Sequence, residues 1–339
     1  MNIVRPYLTP EQAEEKNNIA LDCYKLGVIL LFYQVLTRAM RFLFYLAAYT
    51  YYNGTLTLNV NSAIKYLQDH DDVTASTAFR MSGNIGVTFS SVVLTAVLAH
   101  ILFKGRIGPW IKPSKERFAA GVLWSAPNYV VGMVATMLTS YLVGILNNSG
   151  IAVPTSDFSI VQPSKAAVLL QIGYVIIAAP IIEEYLYRCL ILNAVAPYSK
   201  SAAVLLSALC FGLMHGNIPQ AAGAFVSGLL YAVIAIKTGS IIPTIIIHSF
   251  NNLIAELYSL TSAVGLSGAD DVIGIFYVLT AFAGLLMGLL MIKRLWFKED
   301  KAPLSAKQVR ATVFSNPLIL VCIGWYVLTI MTGLLDANS

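Results

Sequence analysis

The residues best suited to chemistry in this sequence are charged side chains that interrupt a long apolar segment. The segment AAPIIEEYLYRCLIL places Glu183, Glu184 and Arg188 shortly after Pro180. Glu184 and Arg188 are four residues apart, so on a helix they share a face and can form an ion pair that neutralises the carboxylate. Glu183 projects about 100° away around the helix and has no evident partner in the sequence. A carboxylate of this kind is suited to act as a general base on water.

Two later apolar segments add imidazole and amide groups. FGLMHGN places Phe211 and His215 one helical turn apart, and HSFNN places His248 and Asn252 one turn apart. A single histidine or asparagine in a membrane helix usually forms an interhelical hydrogen bond, worth about 0.6–2 kcal/mol. Several such groups on three nearby segments instead favour a functional cluster. We therefore select as candidate catalytic residues Glu183, Glu184, Arg188, His215, His248 and Asn252.

Taken in order, these motifs resemble those of one protease family. The series reads Glu183-Glu184-x-x-x-Arg188, then Phe211-x-x-x-His215, then His248-x-x-x-Asn252. It is similar to the three motifs of the CPBP (CAAX protease and bacteriocin-processing, Abi) intramembrane proteases, a family that includes the type II CAAX prenyl endopeptidases. The resemblance covers about residues 165–260. It implies an endopeptidase that works inside the bilayer on a peptide or a membrane-anchored protein, including a prenylated one.

The resemblance also implies a role for each residue. Glu183 would activate the hydrolytic water with assistance from His215. His248 and Asn252 would stabilise the oxyanion of the tetrahedral intermediate, a task for which pre-positioned hydrogen-bond donors are needed. The residues that brace this site would be Glu184 and Arg188.

The cofactor is left open by the sequence. A catalytic zinc usually takes three protein ligands, and the candidates for two of them are His215 and His248. The third would be Asn252, a poor zinc ligand, or Glu183, whose use would leave no evident base. The usual zinc protease motif HExxH is absent from the sequence. We favour metal-independent activation of water, with a divalent metal such as zinc as the alternative.

The amino-acid composition indicates which kind of structure positions these residues. Of 339 residues, 57% are hydrophobic and 12% are charged, against about 25% charged in a soluble domain, and the mean hydropathy is +0.71. Apolar runs of about 20 residues recur, which is the length of a membrane-spanning helix. The sequence therefore predicts an all-α, polytopic transmembrane bundle of about eight to nine spans. We place them near residues 22–50, 84–103, 118–146, 166–192, 201–216, 220–237, 240–260, 272–292 and 317–335.

Charged loops predict how the bundle is oriented. Loops 104–117 and 293–310 are rich in Lys and Arg, which by the positive-inside rule makes them cytoplasmic, together with the N-terminus. The alternate loops carry the acidic residues Asp69, Asp71, Asp72, Asp157, Asp270 and Asp271. The net charge of +5 is explained by these loops, so we expect the lipid bilayer and no nucleic acid as a partner. With no organelle-targeting element in view, we expect a bacterial plasma membrane.

The chain divides into three regions. Residues 165–260 form the expected catalytic core, between transmembrane helices without a recognised motif in 1–164 and in 261–339. Arg38 and Arg41 lie inside the first span, where each costs roughly 2.5–3.5 kcal/mol unless it is paired, so we interpret half of that span as an interfacial helix. Glu256 is a further carboxylate that could line the cavity or cap a helix end. The cysteines lie in apolar segments, and we expect buried thiols at Cys23, Cys189, Cys210 and Cys322.

Two other functions remain compatible with the same residues. A transporter or proton-coupled carrier could use the buried Glu, His and Arg side chains to relay protons or bind its substrate. A bacteriocin-immunity or scaffold protein could keep the cluster for stability alone.

Overall fold

The predicted spans are helices in the computed structural model, which describes residues 8–70, 76–107, 114–155, 159–266 and 268–338. Asp71, Asp72 and Asp157 lie outside these residues. The described part of the chain contains helices and no strand. In chain order the helices are α1 (Pro10–Asn53), α2 (Val60–Asp69), α3 (Thr77–Phe103), α4 (Lys115–Val122), α5 (Ser125–Asn148), α6 (Lys165–Val195), α7 (Lys200–Leu213), α8 (Ile218–Thr238), α9 (Ile242–Ala263), α10 (Ala269–Met291), α11 (Ala306–Phe314) and α12 (Pro317–Asp336).

The all-α transmembrane fold is confirmed, and the chain is an integral membrane protein. By length and composition, seven of the described helices can cross a membrane. These are α1, α3, α4 continued by α5, α6, α8, α10 and α12. The remaining predicted spans correspond to α7, which has only 14 residues, and to α9, whose middle is polar. The short helices α2 and α11 were not predicted, because neither is apolar enough to be recognised as a span.

The three prolines near the motifs occupy different positions in their helices. Pro219 and Pro243 lie in the first turns of α8 and α9, where a missing N–H removes no intrahelical hydrogen bond. Pro180 lies inside α6, where it removes a hydrogen bond and disturbs the helix. Two of these prolines therefore start helices, and one reshapes a helix interior.

Packing arranges the helices into two groups that meet at α6 and α7. In one group α7 packs closely against α8, α8 against α5, and α5 against α10. In the other, α1 packs against α3 and α12. The largest fully buried side chains lie at the junction and include Arg188, Tyr187, Tyr231 and Phe211. The junction of the two groups is thus the core of the molecule, and the motif residues lie in it.

Two expectations about individual residues have clear outcomes. The four cysteines are buried, as expected. The interpretation of half of the first span as an interfacial helix is wrong, because α1 continues without a break for 44 residues through Arg38 and Arg41. Its length exceeds what a membrane needs, so its polar N-terminal turns project beyond the apolar part.

Candidate active site

The helix that carries both carboxylates is irregular on either side of them. In α6, residues Ile172–Ala178 and Tyr185–Leu192 are π-helical, and the short α-helical stretch Ala179–Glu184 lies between them. Pro180 has no N–H to donate four residues back, and a wider turn accommodates that gap. Widened turns of this kind occur frequently at functional sites. Glu183 and Glu184 end the α-helical stretch, so they lie where the helix changes its winding.

One histidine of α9 contacts both carboxylates. His248 Nε2 lies 3.6 Å from Glu183 Oε2, and His248 Nδ1 lies 3.2 Å from Glu184 Oε1. The partner of Glu183 that the sequence did not show is therefore His248, more than 60 residues away. Only the packing of α9 against α6 reveals it.

The second carboxylate also pairs within its own helix, as predicted. Arg188 Nη1 lies 3.1 Å from Glu184 Oε1, in an ion pair that does not meet hydrogen-bond geometry, and neither side chain is exposed. Arg188 Nη2 donates to the backbone carbonyl of Gly228 at 3.3 Å. The guanidinium carbon lies 4.5 Å from the ring centre of Phe211 and 5.2 Å from that of Tyr231. The arginine is thus compensated by a carboxylate, a carbonyl and two aromatic faces.

Phe211 joins the two histidines of the motifs. Its ring lies 5.3 Å from the ring of His215 and 5.4 Å from that of His248, edge to face in both cases. It also contacts Tyr187 at 5.4 Å. Phe211 was recognised in the sequence only as the companion of His215, whereas the structure places it at the centre of the cluster.

The hydrogen bond of His215 fixes which ring nitrogen can act. His215 lies in the turn after α7, half-buried, and its Nδ1 is 2.9 Å from the carbonyl oxygen of Phe211. A carbonyl only accepts, so Nδ1 carries the proton, and in the neutral ring Nε2 has a free lone pair. His215 can therefore accept a proton at Nε2.

Asn252 lies one turn beyond His248 and is bound to the neighbouring helix. Its Nδ2 donates to the carbonyl oxygen of Val175, in the first π-helical stretch of α6, at 2.7 Å. An amide nitrogen has two N–H groups, so one remains for a ligand. Glu256, a turn further, is buried and accepts from Gln171 Nε2 of α6 at 2.8 Å. It neither caps a helix end nor joins the catalytic residues, and it ties α9 to α6.

A tyrosine that the motifs do not contain completes the cluster. The ring of Tyr231 stacks on His248 with ring centres 5.4 Å apart. Its hydroxyl accepts hydrogen bonds from Asn251 Nδ2 at 2.9 Å and from Asn128 Nδ2 at 3.3 Å. Nothing in the local sequence of α8 indicated this role, because an aromatic residue in an apolar helix is usually a packing residue.

The two adjacent carboxylates differ in how exposed they are. The side chain of Glu183 is 17% exposed, whereas that of Glu184 is fully buried. Glu183 therefore has a surface that a small molecule can reach, whereas Glu184 is buried against Arg188 and His248. The adjacent residues are therefore suited to different tasks.

The described residues do not fit a catalytic zinc. Among them, no group of three or more His, Cys, Asp or Glu side chains is placed to hold a metal ion. The Nδ1 contacts of His248 and His215 leave one nitrogen, Nε2, of each ring as a possible ligand, so the two imidazoles supply at most two ligands. A catalytic zinc usually needs three protein ligands, and this donor set does not supply them. We therefore derive no step through a metal.

Comparison with known proteins agrees with the motifs. Residues 165–254, about a quarter of the chain, match the family model described as type II CAAX prenyl endopeptidase Rce1-like. The resemblance inferred from the motifs is confirmed for this segment, which contains all of the candidate catalytic residues. The family implies a peptidase that acts on a membrane-associated protein or peptide. Neither curated proteins nor solved structures gave a match to the chain.

Proposed function

We propose that the protein is an intramembrane endopeptidase in which Glu183 activates water to hydrolyse a peptide bond. The observation that carries this proposal is the pair of adjacent carboxylates on one histidine, of which Glu183 is partly exposed and Glu184 is fully buried. The match to a prenyl endopeptidase family supports the same reaction class.

In the first step, Glu183 takes a proton from a water molecule, and the water oxygen bonds to the carbonyl carbon of the substrate. The carbonyl oxygen becomes an oxyanion. His248 donates to it from Nε2, and its Nδ1 lies 3.2 Å from Glu184 Oε1. The free N–H of Asn252 supplies a second donor. Each donor of this kind typically contributes 10²–10³ in rate, which is about 2.7–4 kcal/mol.

In the second step, the tetrahedral intermediate collapses and the carbon–nitrogen bond breaks. Glu183 returns the proton that it took from water to the leaving nitrogen, either directly or through Nε2 of His215. The carboxylic acid that forms passes its remaining proton to the amine, so the products are a carboxylate and an ammonium, and both side chains regain their initial states. Proton transfer by a positioned side chain typically increases the reaction rate by about 10²–10⁴-fold.

Glu184 and Arg188 act as positioning residues. Their ion pair is out of reach of water, and Glu184 holds His248 by its Nδ1. An imidazole fixed at one nitrogen presents the other in a constant direction, which favours pre-organised catalysis.

The substrate we propose is a peptide segment anchored in the membrane, of the CAAX type and prenylated. It would reach the buried site laterally between helices. We also propose that the end of the molecule with the basic loops, including the N-terminus, faces the cytoplasm of a bacterium, because those loops carry most of the lysines and arginines.

The test is cleavage of a quenched-fluorescence farnesylated peptide by the protein in lipid vesicles. Replacing Glu183 with Gln should lower kcat by about 10²–10⁴-fold with an unchanged melting temperature, because the side chain is partly exposed and its loss leaves no new buried charge. The matched control is Glu299→Gln, the same change far from the cluster. Equal activity of Glu183→Gln and wild type would refute the mechanism. An inactive wild type whose Glu183→Gln variant is less stable would instead favour a structural role for the cluster.

A further inference from the structure

An apolar pocket lies between α5, α8 and α10. Its volume is about 390 Å³, which is within the range of small-molecule sites in proteins. Its floor is formed by buried side chains, among them Trp124 and Pro127 at the start of α5 and Leu230 of α8. On α10, Leu285 and Leu289 line the pocket and are more than half exposed. The pocket is therefore open toward the surroundings of the bundle on the side of α10.

Two glycines of α10 shape the pocket. A Cβ on Gly284 would overlap the backbone carbonyl of Ala126, so α10 touches α5 at this point. A Cβ on Gly288, one turn on, would meet only Pro127 Cβ within 4 Å, at 3.7 Å. Both glycines line the pocket. The two helices therefore touch at one end of the pocket and leave room between them toward the other.

The length of the pocket matches one leaflet of a bilayer. Its lining residues on α10 and the turn that follows extend from Gly284 to Leu295, a length of about 16–18 Å. The hydrocarbon core is about 30 Å thick, so one leaflet is about half of that. Trp296, next to Leu295, is 79% exposed, as is typical of tryptophan at the membrane–water interface. The pocket thus has the length and position of one acyl chain in the leaflet at the basic end, where the basic loops lie.

Three cations lie at the interfacial end of the pocket. Lys293 and Arg294 are exposed, and the residues directly before and after them line the pocket. Lys237 of α8 is one turn beyond the lining residue Val233, on the same face. Its Nζ donates to the carbonyl oxygen of Trp296 at 2.7 Å, which leaves two further N–H groups. Within the described ranges, none of the three cations forms an ion pair.

We propose that this pocket binds an anionic phospholipid, with one acyl chain between α5, α8 and α10 and its phosphate held by Lys237, Lys293 and Arg294. Basic pockets between transmembrane helices bind lipid head groups of this charge. An isoprenoid or a zwitterionic lipid would fill the apolar lining but would bring no net negative charge to the three cations. The combination of an apolar pocket one leaflet long and unpaired cations at its interfacial end favours the anionic lipid.

The bound lipid should also stabilise the catalytic cluster. Pro127 is followed by Asn128, and Leu230 by Tyr231. Asn128 Nδ2 donates to the Tyr231 hydroxyl at 3.3 Å, and the Tyr231 ring stacks on His248. A lipid that fills the space beside α5 and α8 supports this contact between them. Because a ligand that binds the folded protein stabilises it, the lipid should raise the melting temperature.

The experiment measures quenching of the Trp124 fluorescence by brominated lipids, since bromine quenches at short range. Trp110→Phe, Trp296→Phe and Trp325→Phe are combined so that Trp124 is the sole tryptophan. This protein in phosphatidylcholine vesicles is titrated with phosphatidylglycerol or phosphatidylcholine that carries two bromines on one acyl chain. We expect half-maximal quenching at a mole fraction at least about tenfold lower for phosphatidylglycerol. Free inorganic phosphate should not displace it, because it has no acyl chain.

A matched pair of double variants tests the cations. Lys293→Gln with Arg294→Gln should abolish the preference for phosphatidylglycerol and leave quenching by brominated phosphatidylcholine unchanged. Lys301→Gln with Lys307→Gln removes two exposed charges outside the pocket and should keep the preference.

A matched pair of glycine variants tests the acyl-chain pocket. Gly288→Leu places a side chain in the pocket and should reduce quenching by both lipids. Gly274→Leu makes the same change in α10 outside the pocket, where a Cβ meets nothing within 4 Å, and should leave quenching unchanged.

A second measurement needs no tryptophan substitution. The melting temperature of the wild-type protein in a neutral detergent should rise more with added phosphatidylglycerol than with phosphatidylcholine. The difference should disappear in the variant with Lys293→Gln and Arg294→Gln.

Three results would overturn the proposal. The first is equal half-maximal quenching by the two brominated lipids, which would make the pocket an unselective part of the lipid-facing surface. The second is a preference for phosphatidylglycerol that the two double variants change to the same extent, which would assign it to the overall surface charge. The third is displacement of phosphatidylglycerol by a farnesylated peptide and not by the same peptide without the farnesyl group, which would assign the pocket to an isoprenoid.

Discussion

Two polar clusters of similar composition lie at different depths in the molecule. The intramembrane cluster consists of Glu183, Glu184, Arg188 and His248, and the basic-end cluster of Asp22, Arg106, Tyr198, Lys200 and Glu299. Their contacts are alike, between 2.7 and 3.6 Å. Their exposure differs, because Arg188 is fully buried whereas the side chain of Arg106 is 58% exposed. Water can replace a lost partner at the basic end and not within the membrane, so similar distances carry different energies.

The basic-end cluster fastens α1 to the loop before α7. Asp22 accepts from Arg106 Nη2 at 2.7 Å and from the Tyr198 hydroxyl at 2.8 Å. Burial and the neighbouring Asp22 carboxylate raise the pKa of Tyr198 to about 12, so the phenol stays protonated and remains a donor. This contact fixes the relative height of α1 and α6.

Glu299 caps α7 from a distant loop. Its carboxylate accepts from the backbone N–H groups of Lys200 and Ser201, both at 2.8 Å, and from the Ser199 hydroxyl at 3.1 Å. Burial alone would favour the neutral form, but these hydrogen bonds outweigh it and lower the pKa of Glu299. The helix ends at Leu213, so this cap acts at the opposite end of α7 from His215.

The largest effect should follow from breaking the buried ion pair. Arg188→Met should lower the free energy of unfolding by about 3–5 kcal/mol, because it leaves Glu184 buried with one partner fewer. Unfolding in mixed detergent micelles with increasing dodecyl sulfate measures the loss. A cost under about 1 kcal/mol would show that water reaches this site. Adding Glu184→Gln to Arg188→Met should restore part of the stability, because the uncompensated charge is then gone.

Two buried phenylalanines offer a matched test of the aromatic contribution. Phe211 and Phe103 are each 2% exposed, but Phe211 lies against the buried Arg188, and Phe103 against Lys25 and Arg106, which water reaches. Phe211→Leu should cost about 1–2 kcal/mol more than Phe103→Leu, since a cation–π contact is stronger when desolvated. Thermal unfolding of both variants gives the difference. Equal costs would mean that the ring only fills space.

The helix cap should have a smaller and pH-dependent effect. Glu299→Gln should cost about 0.5–1 kcal/mol at neutral pH, a value reduced because the carboxylate is exposed to water. The folded-state pKa is lowered, so the stabilisation is present above the ordinary carboxyl pKa and is lost as the pH falls through the folded value. Melting curves of wild type and variant should therefore converge in acid. Asp300→Asn, which removes a 73% exposed carboxylate, is the control and should change little.

The smallest effect is expected at the exposed arginine. Arg106→Gln should cost about 0–1 kcal/mol, and 1 M salt should reduce that cost because screening weakens exposed pairs. The loss caused by Arg188→Met should be the same at low and high salt. A stability loss from Arg188→Met that depends on salt would show that water reaches the intramembrane cluster.

Much of the fold could be predicted because its signals are local. Apolar runs gave the spans, and the four-residue spacing gave the ion pair of Glu184 and Arg188, which the structure contains. The partner of Glu183 could not be predicted, since a contact between α6 and α9 depends on packing. The roles of Phe211 and Tyr231 were missed for the same reason, because an aromatic residue in an apolar helix looks the same whether or not a cation lies against it.

The sequence by itself determined that the chain is a helical membrane protein and which ionisable residues it places in the bilayer, because hydropathy and helical spacing are properties of neighbouring residues. The tertiary structure alone decided which of the two adjacent carboxylates is partly exposed and that His248 contacts both of them. Exposure and proximity across more than 60 residues are consequences of how the helices pack, and no local pattern encodes them. In this protein the sequence identifies the reactive residues, and the packing of the helices decides which of them are in contact and which are exposed.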